Sequence, residues 1–411
     1  MGQPQVRYGA YRWVVLGVFM FQVILTQFLW LNFAPIQPTL EKLLSISDFQ
    51  FVLLLSVFNI FNLLLSLPVG AVLDSKGVKF TVGLGSIIMA LAVLLRLKSD
   101  SYYWLLAGQI GIAIAQPFIV NSGAKLASTW FNKNEEALAN GFASMAMFIG
   151  MIAALIITPI IIQYISLFHI MIVYGCITVF GSLLFLTLSR DNPSLITTLK
   201  KEEEGYHPIH AYKKLLKNKD MIILAVIMFI GVGFFNGITN WLDKLLGPQG
   251  FSEEQSGVIV GILIAGGIVG AVVIPVLSDI IKKRRPFLIM GTVSAGIFMF
   301  PLVRTRNYAA AIVLAAVLGF MVISLLPIMF QMVIEVVGER LTGSATGLMW
   351  VFGATGAIVT IYGMEVIGNA TSDYRNGIWL LMVMFLIAFI LSLVLKETYG
   401  RGQDKTPGRE L

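Results

Sequence analysis

Two aspartates, Asp74 and Asp279, stand 205 residues apart in nearly the same company. Each follows a proline and a small apolar turn, in GAVLDSKGVKF (Gly70–Phe80) and in PVLSDIIKKRRPF (Pro275–Phe287). Each precedes a basic cluster and then a fresh apolar run. A carboxylate at the end of an apolar helix can pair with a nearby cation. It can also accept from the unpaired N–H groups of another helix N-terminus, worth roughly 0.3–2 kcal/mol. Either contact holds and releases, as a latch must. The plainer reading is that these charges only set topology. The spacing of Gly70, Asp74, Gly77 and Lys79 in the first copy favours the latch, with Asp279, Lys283 and Arg284 as its second copy. Carboxylates available to the basic residues are Glu135, Glu136, Glu335 and Glu339.

Glu335 and Lys125 fall near the inner ends of the apolar runs and Arg96, Asp243, Lys244 and Glu365 near the outer ends. The mid-span polar residues are neutral or aromatic: Gln22, Thr26, Gln27, Trp30 and Asn32; Ser56, Asn59 and Asn62; Gln109, Gln116 and Asn121; Asn236, Thr239, Asn240 and Trp241. Amides beside large rings hold a neutral polar ligand, or a cation over a ring face at about 0.5–2 kcal/mol. Any one of them could equally be a bond between helices; as a set they favour a cavity. No Arg pair lies among them to neutralise a dianion. No carboxylate lies there either, which favours facilitated diffusion or weak coupling over proton symport. Lys125 has two readings, a structural ion pair reached by snorkelling to the surface, or a role in coupling or gating. Arg340 joins the gating candidates. Only His207 and His210 of the three histidines are close, so no metal spacing appears. No Ser/His/Asp set or acid–base pair lies at membrane depth, so an enzyme and a cofactor are not expected.

The elements that must position these groups follow from composition. The chain is 57% hydrophobic and 12% charged, about half the charge of a soluble domain, with mean hydropathy +0.85. Its apolar runs are long and unbroken, which predicts membrane-spanning helices rather than a barrel. Twelve spans are expected, near 12–34, 48–73, 78–96, 102–129, 136–162 and 167–189, then 220–246, 253–279, 286–304, 308–337, 342–368 and 373–396. With both termini inside, 21 of the 29 Lys and Arg fall on the inner side and 7 on the outer, so the net charge of +7 reads as topology, not nucleic-acid binding. NKNEEALANG, ending at Gly141, is echoed by GERLTGSATG, ending at Gly347, an offset of 206. Two landmarks at nearly one offset make the chain a duplication. A pseudo-twofold then predicts that Asp74 meets the start of the eleventh span near Thr342–Ser344, and Asp279 the start of the fifth near Ala137.

The Gly70, Asp74, Gly77, Lys79 pattern resembles the loop signature of the major facilitator superfamily. GQIGIAIAQPFIVNSGAKLASTWF (Gly108–Phe131) resembles its FLVCR branch, the feline leukaemia virus receptor type. QFLWLNFAPI (Gln27–Ile36), LDSKGVK, SLLP (Ser324–Pro327) and SATGL (Ser344–Leu348) fit the same branch. The resemblance implies multipass carriers linked to choline, ethanolamine and haem, with Trp30, Gln116 and Phe235 as ligand contacts. The chain departs from the branch at Ala354 and Trp350, where Gln and Asn are expected, and at Phe235, where Tyr is expected.

The expected fold is all-α and integral to the membrane, twelve helices in two pseudo-symmetric halves. Residues 1–189 form the first half, 190–219 a cytoplasmic linker, 220–396 the second half and 397–411 a disordered cytoplasmic tail. The expected function is secondary transport of a small organic solute by alternating access, a choline- or ethanolamine-like amine among the candidates. The alternatives are an exporter of a larger amphipathic molecule such as haem, and a receptor or scaffold without transport. Expected partners are the solute and the lipid bilayer of the cell membrane, for a monomer that binds no nucleic acid.

Overall fold

The computed structural model describes residues 9–132, 134–190, 208–371 and 376–401. Among these the helices are α1 (Tyr11–Leu31), α2 (Gln37–Leu44), α3 (Asp48–Leu95), α4 (Tyr102–Val120), α5 (Gly123–Trp130), α6 (Glu136–Ile161) and α7 (Leu167–Leu188). They continue with α8 (Pro208–Lys217), α9 (Lys219–Leu246), α10 (Glu253–Ile281), α11 (Arg285–Leu302), α12 (Tyr308–Ile323), α13 (Leu325–Val337), α14 (Thr342–Thr371) and α15 (Gly377–Val394). Eleven runs are long and apolar enough to cross a membrane. One of them, α3, has 48 residues, about 70 Å at 1.5 Å per residue and twice what a bilayer needs. It is interrupted at Gly77, whose φ of 80° and ψ of 177° are not helical. The second and third expected spans are therefore two helices joined through one glycine, and the membrane-length segments number twelve.

The duplication is written into helix starts as well as loops. Ser47 caps α3 and Ser252 caps α10, each in a reciprocal bond with a Gln three residues on, Gln50 and Gln255. Their separation is again 205 residues. Lys282 stands 205 residues beyond Gly77, and it too has positive φ, 58°. The fourth and tenth expected spans are each broken, at Asn121–Ser122 and at Ser324.

The chain groups into two compact units, Met1–Lys133 with Ala146–Ala211, and Asn134–Met145 with Tyr212–Leu411. The first turns of α6 thus belong to the second unit and its remainder to the first. In the second unit α10 carries two glycine pairs at i, i+4, Gly257/Gly261 and Gly266/Gly270, and they pack differently. Gly266 and Gly270 lie against the carbonyls of Ala316 and Phe320 on α12, and Gly319 against that of Leu263. A Cβ at Gly257 or Gly261 would meet open space.

Most of the expected linker, residues 191–207, lies outside the described residues; its end forms α8. The tail differs from expectation, because residues 397–401 are placed and bonded. Glu397 accepts from the backbone N–H of Arg284 at 2.8 Å and of Arg285 at 3.2 Å, filling the open N-terminus of α11. Residues 402–411 lie outside the described residues.

Candidate functional site

In the first unit α3 breaks at Gly77 just past Asp74, and α4 breaks before α5, which carries Lys125. The two breaks bring Lys125 Nζ to 3.1 Å from Asp74 Oδ1, both side chains inside the protein. Lys125 is 3% exposed and does not snorkel outward. The apolar setting makes an ion pair the more favourable course, since a carboxylate and an ammonium buried apart would each pay desolvation. Gly70 and Gly77 are buried beside this pair, whereas Lys79 is exposed.

The second unit solves the same problem with different residues. Arg284 Nη1 lies 2.6 Å from Asp279 Oδ1, and Arg284 Nε donates to Glu335 Oε1 of α13 at 3.0 Å. Arg284 is 1% exposed. Burial opposes its charge, but the carboxylates of Glu335 and Asp279 outweigh that and hold the guanidinium above its ordinary pKa. Thr398 Oγ1 donates to Glu335 Oε2 at 2.6 Å, and Tyr399 presents its ring 5.0 Å from the guanidinium carbon. Next to it, Gln331 accepts from Asn140 at 2.9 Å and donates to Glu136 at 3.0 Å, joining α13 to the first turns of α6. Gly141 on that face of α6 lies against the carbonyl of Ala271 on α10. The start of α6 therefore packs on α10, the helix that carries Asp279, through Gly141 and Ala271. Lys283 and Arg340 are exposed.

Among the mid-span polar residues, Trp30 is half-buried, its ring 6.0 Å from that of Phe58 and its Nε1 donating to Leu55 O at 3.4 Å. Gln27, three residues earlier on the same helix, is buried, and its Oε1 finds no donor among the described residues. Gln116 is 4% exposed. Asn121 donates to Ser66 O at 3.3 Å, a bond that ties α4 to α3 at the break. Asn59 is exposed. In the second unit Asn236 donates to Val232 O within its own helix, and Phe235 is half-buried. Trp241 is buried beneath Lys244, whose Nζ is 4.4 Å from the ring centroid. The side chain of Asn240 lies outside those described.

Each half is thus helical and carries an Asp just before a break, at Gly77 and at Lys282. A family model for the Major Facilitator Superfamily matches residues 19–361. The chain belongs to this superfamily. Solute carrier family 49 member A3 of Xenopus tropicalis is 28% identical over 377 residues, covering 85% of this chain and 76% of the relative. A choline/ethanolamine transporter of Felis catus, FLVCR1, is 24% identical over 422 residues, covering 97% and 75%. The crystal structure of FucP, a transporter of the superfamily in its outward conformation, matches with a TM-score of 0.75 at 14% identity, over 95% of this chain and 99% of FucP. The likeness to FucP concerns the fold. The chain is thus a multi-pass transporter of the major facilitator superfamily and not an enzyme.

Sequence reasoning about this major facilitator chain missed Gln331, Asn140 and the tail residues Glu397 and Thr398. Gln331 stands 206 residues beyond Lys125, the offset of the Gly141/Gly347 pair, so the duplication itself pointed to it.

Proposed function

We propose that the chain carries a small amine-bearing organic cation of the choline or ethanolamine class across the cell membrane by alternating access. The observation that carries the reading is α1, where half-buried Trp30 lies beside Phe58 and buried Gln27 holds an amide oxygen that finds no donor among the described residues. A ring face attracts a quaternary or primary ammonium, and an amide oxygen accepts from a hydroxyl or ammonium group. Relatives named as choline/ethanolamine transporters add support from outside the chain. Facilitated diffusion or weak coupling, both termini in the cytoplasm, and a monomeric carrier complete the reading. Asp74 and Asp279, held by their cations, act at the cytoplasmic rim, and the expected meeting of Asp74 with Thr342–Ser344 is part of the proposal.

The test is uptake of labelled choline and ethanolamine into proteoliposomes, with haem as a competitor and with an imposed pH gradient. Saturable choline or ethanolamine uptake that falls at least tenfold in Trp30→Ala and does not accumulate with the gradient is the expected result. Flux equal to that of empty vesicles for both amines would overturn the substrate class. Accumulation driven by the gradient would overturn the uncoupled mechanism alone.

A further inference from the structure

At the end of α3 remote from Gly77, the first unit buries a positive charge that its own residues leave unmatched. Arg96 caps α3 and has no solvent exposure. Its Nη2 donates to Asn32 Oδ1 at 3.0 Å, and its guanidinium carbon lies 4.2 Å from the centroid of the Phe33 ring. Neither partner is negative. Arg96 Nε and Nη1 find no acceptor among the described residues, and neither does Nδ2 of Asn32, which is itself fully buried. Among the described residues, no carboxylate pairs with Arg96. Three unsatisfied donor nitrogens thus gather around one positive charge.

A guanidinium keeps its proton in proteins, so the charge cannot be discarded as a lysine's could. Buried without a counter-charge it is strongly unfavourable, and a ring face offsets only part of that. The side chain has no room to withdraw, because a Cβ at Gly108 of α4 would run into Arg96 Cγ. Asn32 and Phe33 link the end of α1 to the short 3-10 turn Ala34–Ile36, which contains Pro35. What the site lacks is an acceptor that also carries negative charge. Water would satisfy the donors and leave the charge.

We propose that Arg96 and Asn32 form a buried binding site for a small monovalent inorganic anion of chloride size. Complete burial of both side chains argues for a single compact ion, and one guanidinium matches one negative charge. The site does not depend on which solute the carrier moves.

The full-length protein, purified in detergent, tests this by thermal unfolding as sodium chloride replaces sodium gluconate at constant ionic strength. An anion bound by the folded state alone raises the melting temperature as its concentration passes the dissociation constant. The expected result is a rise of several degrees that follows a saturation curve, is reproduced by bromide, and is lost in Arg96→Gln. Asn32→Asp supplies a second reading independent of that variant's folding, since it builds the missing negative charge into the existing contact. Asn32→Asp should unfold in gluconate no lower than the unaltered protein in chloride, and chloride should no longer move it. Equal melting temperatures of the unaltered protein in chloride and gluconate would overturn the proposal. So would a chloride response that survives undiminished in Asn32→Asp or in Arg96→Gln.

Discussion

Asp74 takes its cation from Lys125 of α5, whereas Asp279 takes Arg284 from the loop only five residues on. The first arrangement ties two helices together; the second ties a loop to α13 through Glu335, and Gln331, which itself donates to Glu335 at 3.3 Å, extends the cluster to α6. Removing one partner of the buried Asp74–Lys125 pair leaves a desolvated charge. Lys125→Met should therefore destabilise the protein by about 3–5 kcal/mol, and the double variant Asp74→Asn/Lys125→Met should recover most of it. Thermal unfolding in detergent checks this, and equal losses in the single and double variants would deny the coupling. Arg284 makes a different prediction. Its folded pKa is raised, so its contribution is fully present below the unfolded value and is lost only as pH rises beyond the range where proteins are studied. In Arg284→Lys the cation has an ordinary pKa near ~10.4, and the same contribution is lost as pH climbs above that value. The variant should stay close to the unaltered protein at pH 7, and the gap in melting temperature should widen on titration to pH about 11. A gap independent of pH would mean that the cation's charge is not what holds Asp279 and Glu335.

Gly77 and Lys282 show how a helix break depends on a single residue. At Gly77 the φ of 80° with ψ of 177° belongs to a region that is essentially glycine's alone. Lys282, at φ 58° and ψ 37°, sits in the left-handed region that other residues reach at modest cost. Gly77→Ala should therefore cost about 1–3 kcal/mol. Lys282→Gly should be near neutral, read by the same unfolding measurement; equal effects at the two sites would refute this account. The sequence already held much of this. Hydropathy placed the spans, and the glycine of the repeated loop marked the break between the second and third. The capping boxes at Ser47 and Ser252 were equally readable, at the same offset as the two aspartates. The unreadable part was tertiary. Asn121 and Gln116 look alike in the chain, yet Asn121 bonds α3, whereas Gln116 is buried within α4. The tail's order was hidden too, because nothing in the polarity of Glu397 says that α11 offers it open N–H groups, nor in that of Thr398 that it donates to Glu335. Close crossing of α10 and α12 likewise picked Gly266 and Gly270 from a stripe in which Gly257 and Gly261 looked equivalent.

At the scale of the whole molecule, α6 is the element that matters for turnover. Its first turns group with the second unit and its remainder with the first, so one helix is shared between the two groupings. Under the alternating access proposed above, α6 is expected to part its first turns from α13 and α10 in one state. The bonds at risk are Asn140 to Gln331 at 2.9 Å and Gln331 to Glu136 at 3.0 Å, with Gly141 against the carbonyl of Ala271. These are neutral or singly charged hydrogen bonds, each worth roughly 0.5–3 kcal/mol, strong enough to hold one state and weak enough to break in each cycle. Cysteines at Asn140 and Gln331, in a background where Cys176 is serine, can be joined by a short bifunctional thiosulfonate reagent. Joined, they should stop solute flux in proteoliposomes almost completely, and reduction should restore it. The same reagent on either single-cysteine protein should leave flux unchanged. Flux that continues at full rate after complete joining would mean that the start of α6 never leaves α13, and the rocking mechanism would have to hinge elsewhere.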